Sequence, residues 1–107
     1  MDTALKALAE PRRREILKLV WATELPASLI AASFDDVTRS AISQHLGVLR
    51  DAALVVERRD GVHRMYRANR AEMKRVRRFL EEYWDDSLER LRDVAESAHR
   101  EKGIPNE

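Results

Sequence analysis

Cysteine is absent from the 107 residues, which excludes disulfides and thiolate metal sites. Glycine occurs three times and aromatic residues make up only 6%, so the chain carries no Gly-rich phosphate loop. No apolar run approaches the length needed to span a bilayer, and no basic-then-apolar leader directs secretion. The expected compartment is the cytoplasm, with no membrane partner. The three histidines, His45, His63 and His99, have no evident base–nucleophile companion. Catalysis is therefore not expected, and neither is a bound cofactor.

The residues that remain describe one small, mainly helical domain over 1–107. Hydrophobic residues make up 44% and charged residues 36%, a balance that suits long solvated helix faces. A core this small gains from a partner chain. The net charge of +1 hides an uneven distribution. Residues 36–80 hold eleven Lys/Arg against five Asp/Glu, whereas residues 81–107 hold four against nine. A basic middle beside an acidic end predicts that the middle meets a polyanion.

Proline and capping residues mark the first elements. Residues 3–9 read as a short helix that Glu10-Pro11 breaks, since proline disfavours helical geometry in the residue before it. Pro11 then opens a helix to about residue 22, with Ile16, Leu17, Val20 and Trp21 as its apolar side. Arg12, Arg13 and Arg14 occupy its first turn, where the helix dipole disfavours cations. An approaching phosphate would rationalise that placement. Pro26 opens another short helix to about 34, with Leu29, Ile30 and Phe34 facing the core. Thr38 is the N-cap of the next helix.

That next helix is the most informative stretch. Ile42, Leu46, Leu49 and Ala53 fall on one side, and Ser40, Ser43, Gln44 and Gly47 on the other. Solvated faces usually carry Glu and Lys. A face of small and hydrogen-bonding residues suits close approach to another surface, and Ser and Gln can pair with base edges. Residues 54–59 and 62–67 follow as β-rich runs joined by Asp60-Gly61, a strong hairpin signal. The hairpin brings Arg58, Arg59, His63 and Arg64 to either side of its turn. A groove-reading helix beside a basic hairpin is the layout of a winged helix-turn-helix, with the helix-turn-helix at 26–52 and the wing at 54–67.

Asn69 and Glu72 read as a capping box opening a helix over about 70–100. Met73, Val76, Leu80, Trp84, Leu88, Leu91, Ala95 and Ala98 recur along it at three- and four-residue steps. So small a domain cannot bury the whole stripe, which predicts pairing with a second copy. The expected dimer interface joins this helix, through Leu80, Trp84, Leu88, Leu91 and Ala95, to the 1–9 helix, through Leu5 and Leu8. Gly103 and Pro105 are its stop signals.

Three segments together, LAEPRRREIL, SAISQHLGVLRDAALV and RRDGVHRMY, resemble the bacterial ArsR/SmtB-type winged-helix repressors over about residues 5–100. The resemblance implies a homodimer bound to an inverted repeat at a promoter, usually repressing and often controlling its own operon. It places Arg39, Ser40, Ser43, Gln44 and His45 on the DNA-reading helix and Arg58, Arg59, His63 and Arg64 in the wing. Thr38, Arg13 and Arg14 complete the expected DNA contacts. The chain departs from the metal-sensing members, with Pro26 and Ser28 where their cysteines stand. Ala53 occupies a position where relatives tend to have glycine. A second metal site between paired terminal helices is also not expected, because His99 lacks the companion spacing and its carboxylate neighbours are scattered.

The predicted function is therefore a homodimeric, sequence-specific DNA-binding regulator whose partner is double-stranded operator DNA. Two alternatives stand beside it: a metal- or small-ligand-responsive sensor of the same fold, and a winged-helix module that binds an acidic protein.

Overall fold

The computed structural model describes residues 1–102, and the side chains of all of these except 84–87 and 100–102. The Trp84 side chain and the Gly103 and Pro105 stop signals lie outside the described residues. The elements run α1 (Asp2–Leu8), α2 (Pro11–Leu19), β1 (Leu25–Pro26), α3 (Ala27–Ala32), α4 (Arg39–Asp51), β2 (Val55–Asp60), β3 (His63–Ala68) and α5 (Arg70–Lys102). Met1–Val76 form one compact unit and a second begins at Arg77. No helix among the described residues is long and apolar enough to cross a membrane.

The first unit is built around Ile16, Val20, Ile30, Ile42, Leu46, Leu49 and Leu54, all of them fully buried, and no polar or charged residue is buried with them. Burial of this apolar set is the main stabilising term. It leaves the ends of several short helices to find partners for their backbone groups. Glu10 adopts the extended geometry required before proline, with φ −91° and ψ 121°, and Pro11 starts α2. The helix stops at Leu19, three residues earlier than its apolar pattern suggests. The carbonyl of Val20 accepts from Ala68 N at 3.0 Å, and that of Trp21 accepts from Arg70 Nη2 at 2.7 Å. Captured from outside, this segment turns away, and Trp21 is exposed instead of facing the core.

The wing sheet has three strands, in the order β1-β3-β2, and not two. Leu25 and Pro26 pair with Tyr66 and Met65, and Pro26 caps α3 instead of opening it. An edge strand tolerates proline because no ladder donor is demanded of it. A two-residue strand has no periodicity, so the pattern could not reveal it. On α3, Ile30 is buried but Leu29 is more than half exposed, which corrects the expected core face.

The turn also differs from expectation. Asp60 pairs with His63, so the two loop residues are Gly61 and Val62 and not Asp60 and Gly61. Gly61 has φ +63°, the first central position of a II′-type hairpin. Every cross-strand partner thereby moves by two residues. Val62, at the tip, is 94% exposed.

The end of α4 carries the most specific local geometry. Ala53 does not extend the apolar side of the helix: it sits in the left-handed region at φ 62°. Leu54 N donates to Leu49 O and Ala53 N to Arg50 O, each at 2.9 Å, which is the hydrogen-bond pair of a Schellman cap. Leu49 and Leu54, the accompanying apolar contact of that motif, are both fully buried. Asn69 Nδ2 holds the Ala53 carbonyl at 2.9 Å, and its Oδ1 accepts from Glu72 N at 3.3 Å. Only half of the expected capping box forms: Asn69 N bonds Leu54 O at 2.8 Å, and the Glu72 carboxylate pairs with Arg75.

A left-handed alanine costs about 1–2 kcal/mol, and glycine at such a site loses part of that gain through its freer unfolded state. Ala53→Gly is therefore expected to stabilise the protein by about 0.5 kcal/mol, a rise of about 3 °C in Tm, and Ala53→Val to destabilise it. Thermal melts of both variants check this, and a lower midpoint for the glycine variant would show that Ala53 carries no strain.

Candidate nucleic-acid interface

The exposed face of α4 follows from the capping of its first turn. Thr38 Oγ1 accepts from Ala41 N at 3.0 Å, which starts the helix cleanly. Arg39, Ser40, Ser43 and Gln44 then fall along one exposed stripe. None of the four has a side-chain hydrogen bond or ion pair within the described residues. Gly47 continues the stripe. A Cβ added there would meet only Arg50 Nη2, at 3.8 Å, so nothing inside the chain requires glycine.

The arginine run before it behaves differently from the phosphate-facing cluster expected of it. Arg12 pairs with Asp36 at 2.7 Å and lies over the Phe34 ring. This contact also holds the Asp36 carboxyl below the usual carboxylate range, chiefly through the hydrogen bond from Arg12. Arg13 donates to the carbonyls of Ala7, at 2.6 Å, and Lys6, at 3.2 Å, and Arg14 to Leu8 O at 2.7 Å. The α1–α2 corner thus places cations unfavourable at the start of α2 onto the last carbonyls of α1, where the dipole favours them. Arg13 Nη1 also lies 3.3 Å from Nδ1 of His45, which is half-buried on the flank of α4.

Alternation sorts the wing residues onto two faces. On one, Glu57 opposes Tyr66 and accepts from its hydroxyl at 2.6 Å. Arg64 lies 3.7 Å and Arg50 of α4 3.5 Å from the same carboxylate. The Tyr66 hydroxyl, then the two arginines, hold Glu57 below its usual range against the opposing effect of burial. Burial, then the Glu57 carboxylate, push Tyr66 up. On the other face, Arg58 grips Glu24 through two bonds of 2.6 and 3.0 Å, and the hydrogen bond from Arg58 draws the Glu24 carboxyl down. Arg59 and His63 are exposed and make no side-chain bond among the described residues.

Of the expected contacts, Arg39, Ser40, Ser43, Gln44, Arg59 and His63 are thus presented to solvent, while Arg58 and Arg64 have carboxylate partners and Arg13 and Arg14 serve α1. Glu24, Glu57 and Tyr66, which organise the wing, were not singled out from the sequence. The signal was present but depended on the hairpin register: Glu57 and Tyr66 face each other only when the loop is Gly61-Val62. On the expected dimer side, Leu5 and Leu8 are half-buried against the core, and Leu80, Leu88, Leu91 and Ala95 are exposed.

A model of the bacterial regulatory protein, arsR family, matches residues 10–56. The HTH-type transcriptional regulator Rv2034 of Mycobacterium tuberculosis is 34% identical over 81% of this chain and 80% of its own length. This chain belongs to the ArsR family. Another relative, the transcriptional repressor SdpR of Bacillus subtilis, is 33% identical over 64% of this chain and 76% of its own. The solution structure of the homodimeric winged helix-turn-helix DNA-binding domain Mb0332 from Mycobacterium bovis, a possible ArsR-family transcriptional regulator, is similar with TM-score 0.63. It is 28% identical, over 79% of this chain and 78% of its own.

In this ArsR-family transcriptional regulator with the winged helix-turn-helix fold, residues 24–28 have structural roles. Pro26 forms strand β1, Ser28 is exposed on α3, and Glu24 anchors the wing through Arg58. Among the described residues no three His, Asp or Glu side chains cluster closely enough to hold a metal ion.

The Glu57 network generates a pH prediction. A carboxylate whose folded pKa is depressed stabilises the fold above its ordinary value, near 4.5, and loses that contribution as pH falls through the folded value. Glu57→Gln is expected to cost about 1 kcal/mol at neutral pH, with the gap to the parent protein closing below about pH 4.5. Urea midpoints measured from neutral pH down to about pH 3 check the sign. A gap of constant size would remove the ionised carboxylate from the account.

Proposed function

We propose that the protein is a homodimeric, sequence-specific repressor that binds an inverted-repeat operator in the cytoplasm, with its own promoter the first place to look. The observation that carries this reading is the exposed, unpartnered stripe of Arg39, Ser40, Ser43 and Gln44 on α4. It contains no carboxylate, and Asp51 at the far end of the helix is the first one met. Such a face offers free donors and acceptors to base edges and repels no phosphate. Gln44 pairs bidentately with adenine, the serines meet base edges or their waters, and Arg39 sets register on phosphate.

The second copy is argued from α5. Beyond Val76 the helix carries Phe79, Leu80, Tyr83, Leu88, Leu91 and Val94, all at least 40% exposed in the single chain. Pairing through this stripe and through α1 gives the dimer, and an inverted repeat asks its two recognition helices to lie about 34 Å apart, one turn of DNA. In the wing, Arg59 and His63 reach the backbone directly. Arg58 and Arg64 are themselves more than half exposed while paired with Glu24 and Glu57, so phosphate can approach them without those pairs breaking. Bound at a promoter, the dimer excludes polymerase. The names of the relatives, regulators and a repressor, support the same reading.

The test is fluorescence anisotropy on the upstream region against scrambled DNA at two salt concentrations. Preference for the upstream DNA with a steep salt slope is expected, and equal weak binding would count against a self-regulating repressor. Gln44→Ala should relax the preference at one base pair per half-site by about tenfold. Gly47→Ala should raise stability by about 0.5–1 kcal/mol yet weaken DNA binding; unchanged affinity would mean that α4 approaches less closely there. Leu88→Glu is expected to yield monomers in sedimentation, and an intact dimer would refute pairing through α5.

A further inference from the structure

His45 is the one polar side chain of α4 that is half-buried; the others are exposed. Its Nδ1 lies 3.3 Å from Arg13 Nη1. A guanidinium nitrogen can only donate, so in this contact Nδ1 offers its lone pair and the ring hydrogen falls on Nε2. Nε2 has no partner among the described residues, and no buried side-chain nitrogen or oxygen there is left unpaired. Nε2 is therefore not fully enclosed, and it belongs to the residue that follows Gln44. Arg13 has little freedom to move: its Nε and Nη2 are bonded to the Ala7 and Lys6 carbonyls. One guanidinium thus clamps the end of α1 and the ring on α4 together.

We propose that Arg13 is a positioning residue for DNA recognition, locking His45 as a fixed Nε2–H donor that excludes cytosine from the position beside the base read by Gln44. This rests on the reading that α4 enters the major groove. A lone donor pairs with the N7 or O6 of guanine, the N7 of adenine or the O4 of thymine, and is repelled by the cytosine amino group. An imidazole free to exchange its hydrogen between nitrogens would present donor or acceptor and discriminate less. Arg13 therefore contributes to sequence preference without touching DNA, and it joins that preference to α1, a helix on the proposed dimer side.

The experiment takes the operator selected by the unmodified protein from a random DNA library and replaces each base pair in turn. His45→Ala is expected to lose about tenfold in discrimination against cytosine at one position per half-site. Arg13→Gln should lose discrimination at the same position, and the double variant should lose no more than His45→Ala alone. Arg13→Lys, which keeps a donor for Nδ1, should restore most of it. Additive losses, or an Arg13→Gln variant that weakens all sequences equally, would overturn the inference. The nitrogen NMR shifts of the His45 ring in the unmodified protein decide the tautomer whether or not Arg13→Gln folds. Hydrogen on Nε2 is expected, and hydrogen on Nδ1 would overturn the lock. If the unmodified protein selects no sequence, the repressor reading fails and this inference with it; selection with an additive pair sinks the inference alone.

Discussion

Asn69 is where the elements that must be held in register meet. Its backbone N–H takes the carbonyl of Leu54, its side-chain amide takes that of Ala53, and its side-chain oxygen caps Glu72 N at the start of α5. One residue earlier, Ala68 N takes the carbonyl of Val20 at the end of α2. Four chain segments therefore end or begin within a few bonds of one another. With no polar or charged residue buried in the core, apolar packing alone would let these short helices slide or fray. Directional bonds at their ends make the arrangement specific, because an unsatisfied carbonyl beside an apolar core is costly.

The same requirement governs the arginines. A cation near a helix start is unfavourable until the chain turns and presents the end of another helix to it. The α1–α2 corner does this for Arg13 and Arg14, and Asp36 does it for Arg12. In the wing, Glu24 and Glu57 hold Arg58 and Arg64. The charges nearest the recognition helix thus divide into those that brace the fold and those, Arg39 and Arg59, with no partner among the described residues. Binding of a polyanion draws first on the second group. The braced arginines keep α4 and the wing in fixed relation, so that approach to DNA orders little that is still loose.

Much of this was legible in the sequence because it rests on local rules. Thr38 as a cap, Pro11 as a helix start, the apolar positions of α4 and the long stripe of α5 follow from period and capping preference. The turn after α4 was only half anticipated. The resemblance marks Ala53 as a glycine position, but the helical period places it on the apolar side, and its positive φ is a finding of the structure. The stop of α2 at Leu19, the exposure of Trp21 and Leu29, strand β1 and the half-formed capping box were not legible. Each is settled by a partner distant in the chain that competes for the same backbone group or face. The hairpin failed for a smaller reason: Asp60-Gly61 and Gly61-Val62 both satisfy turn chemistry, and only cross-strand pairing chooses between them.

By itself, then, the sequence determined the winged helix-turn-helix, the polar face of α4 and the apolar excess of α5. These depend on which residue types recur at which spacing, and spacing is a property of the chain. The tertiary structure alone decided what the charged side chains do. Arg13 could not be told apart from Arg12 or Arg14 by any pattern, yet it alone reaches both the last carbonyls of α1 and the ring of His45. That choice is made by distances between residues more than thirty positions apart, which no local period encodes.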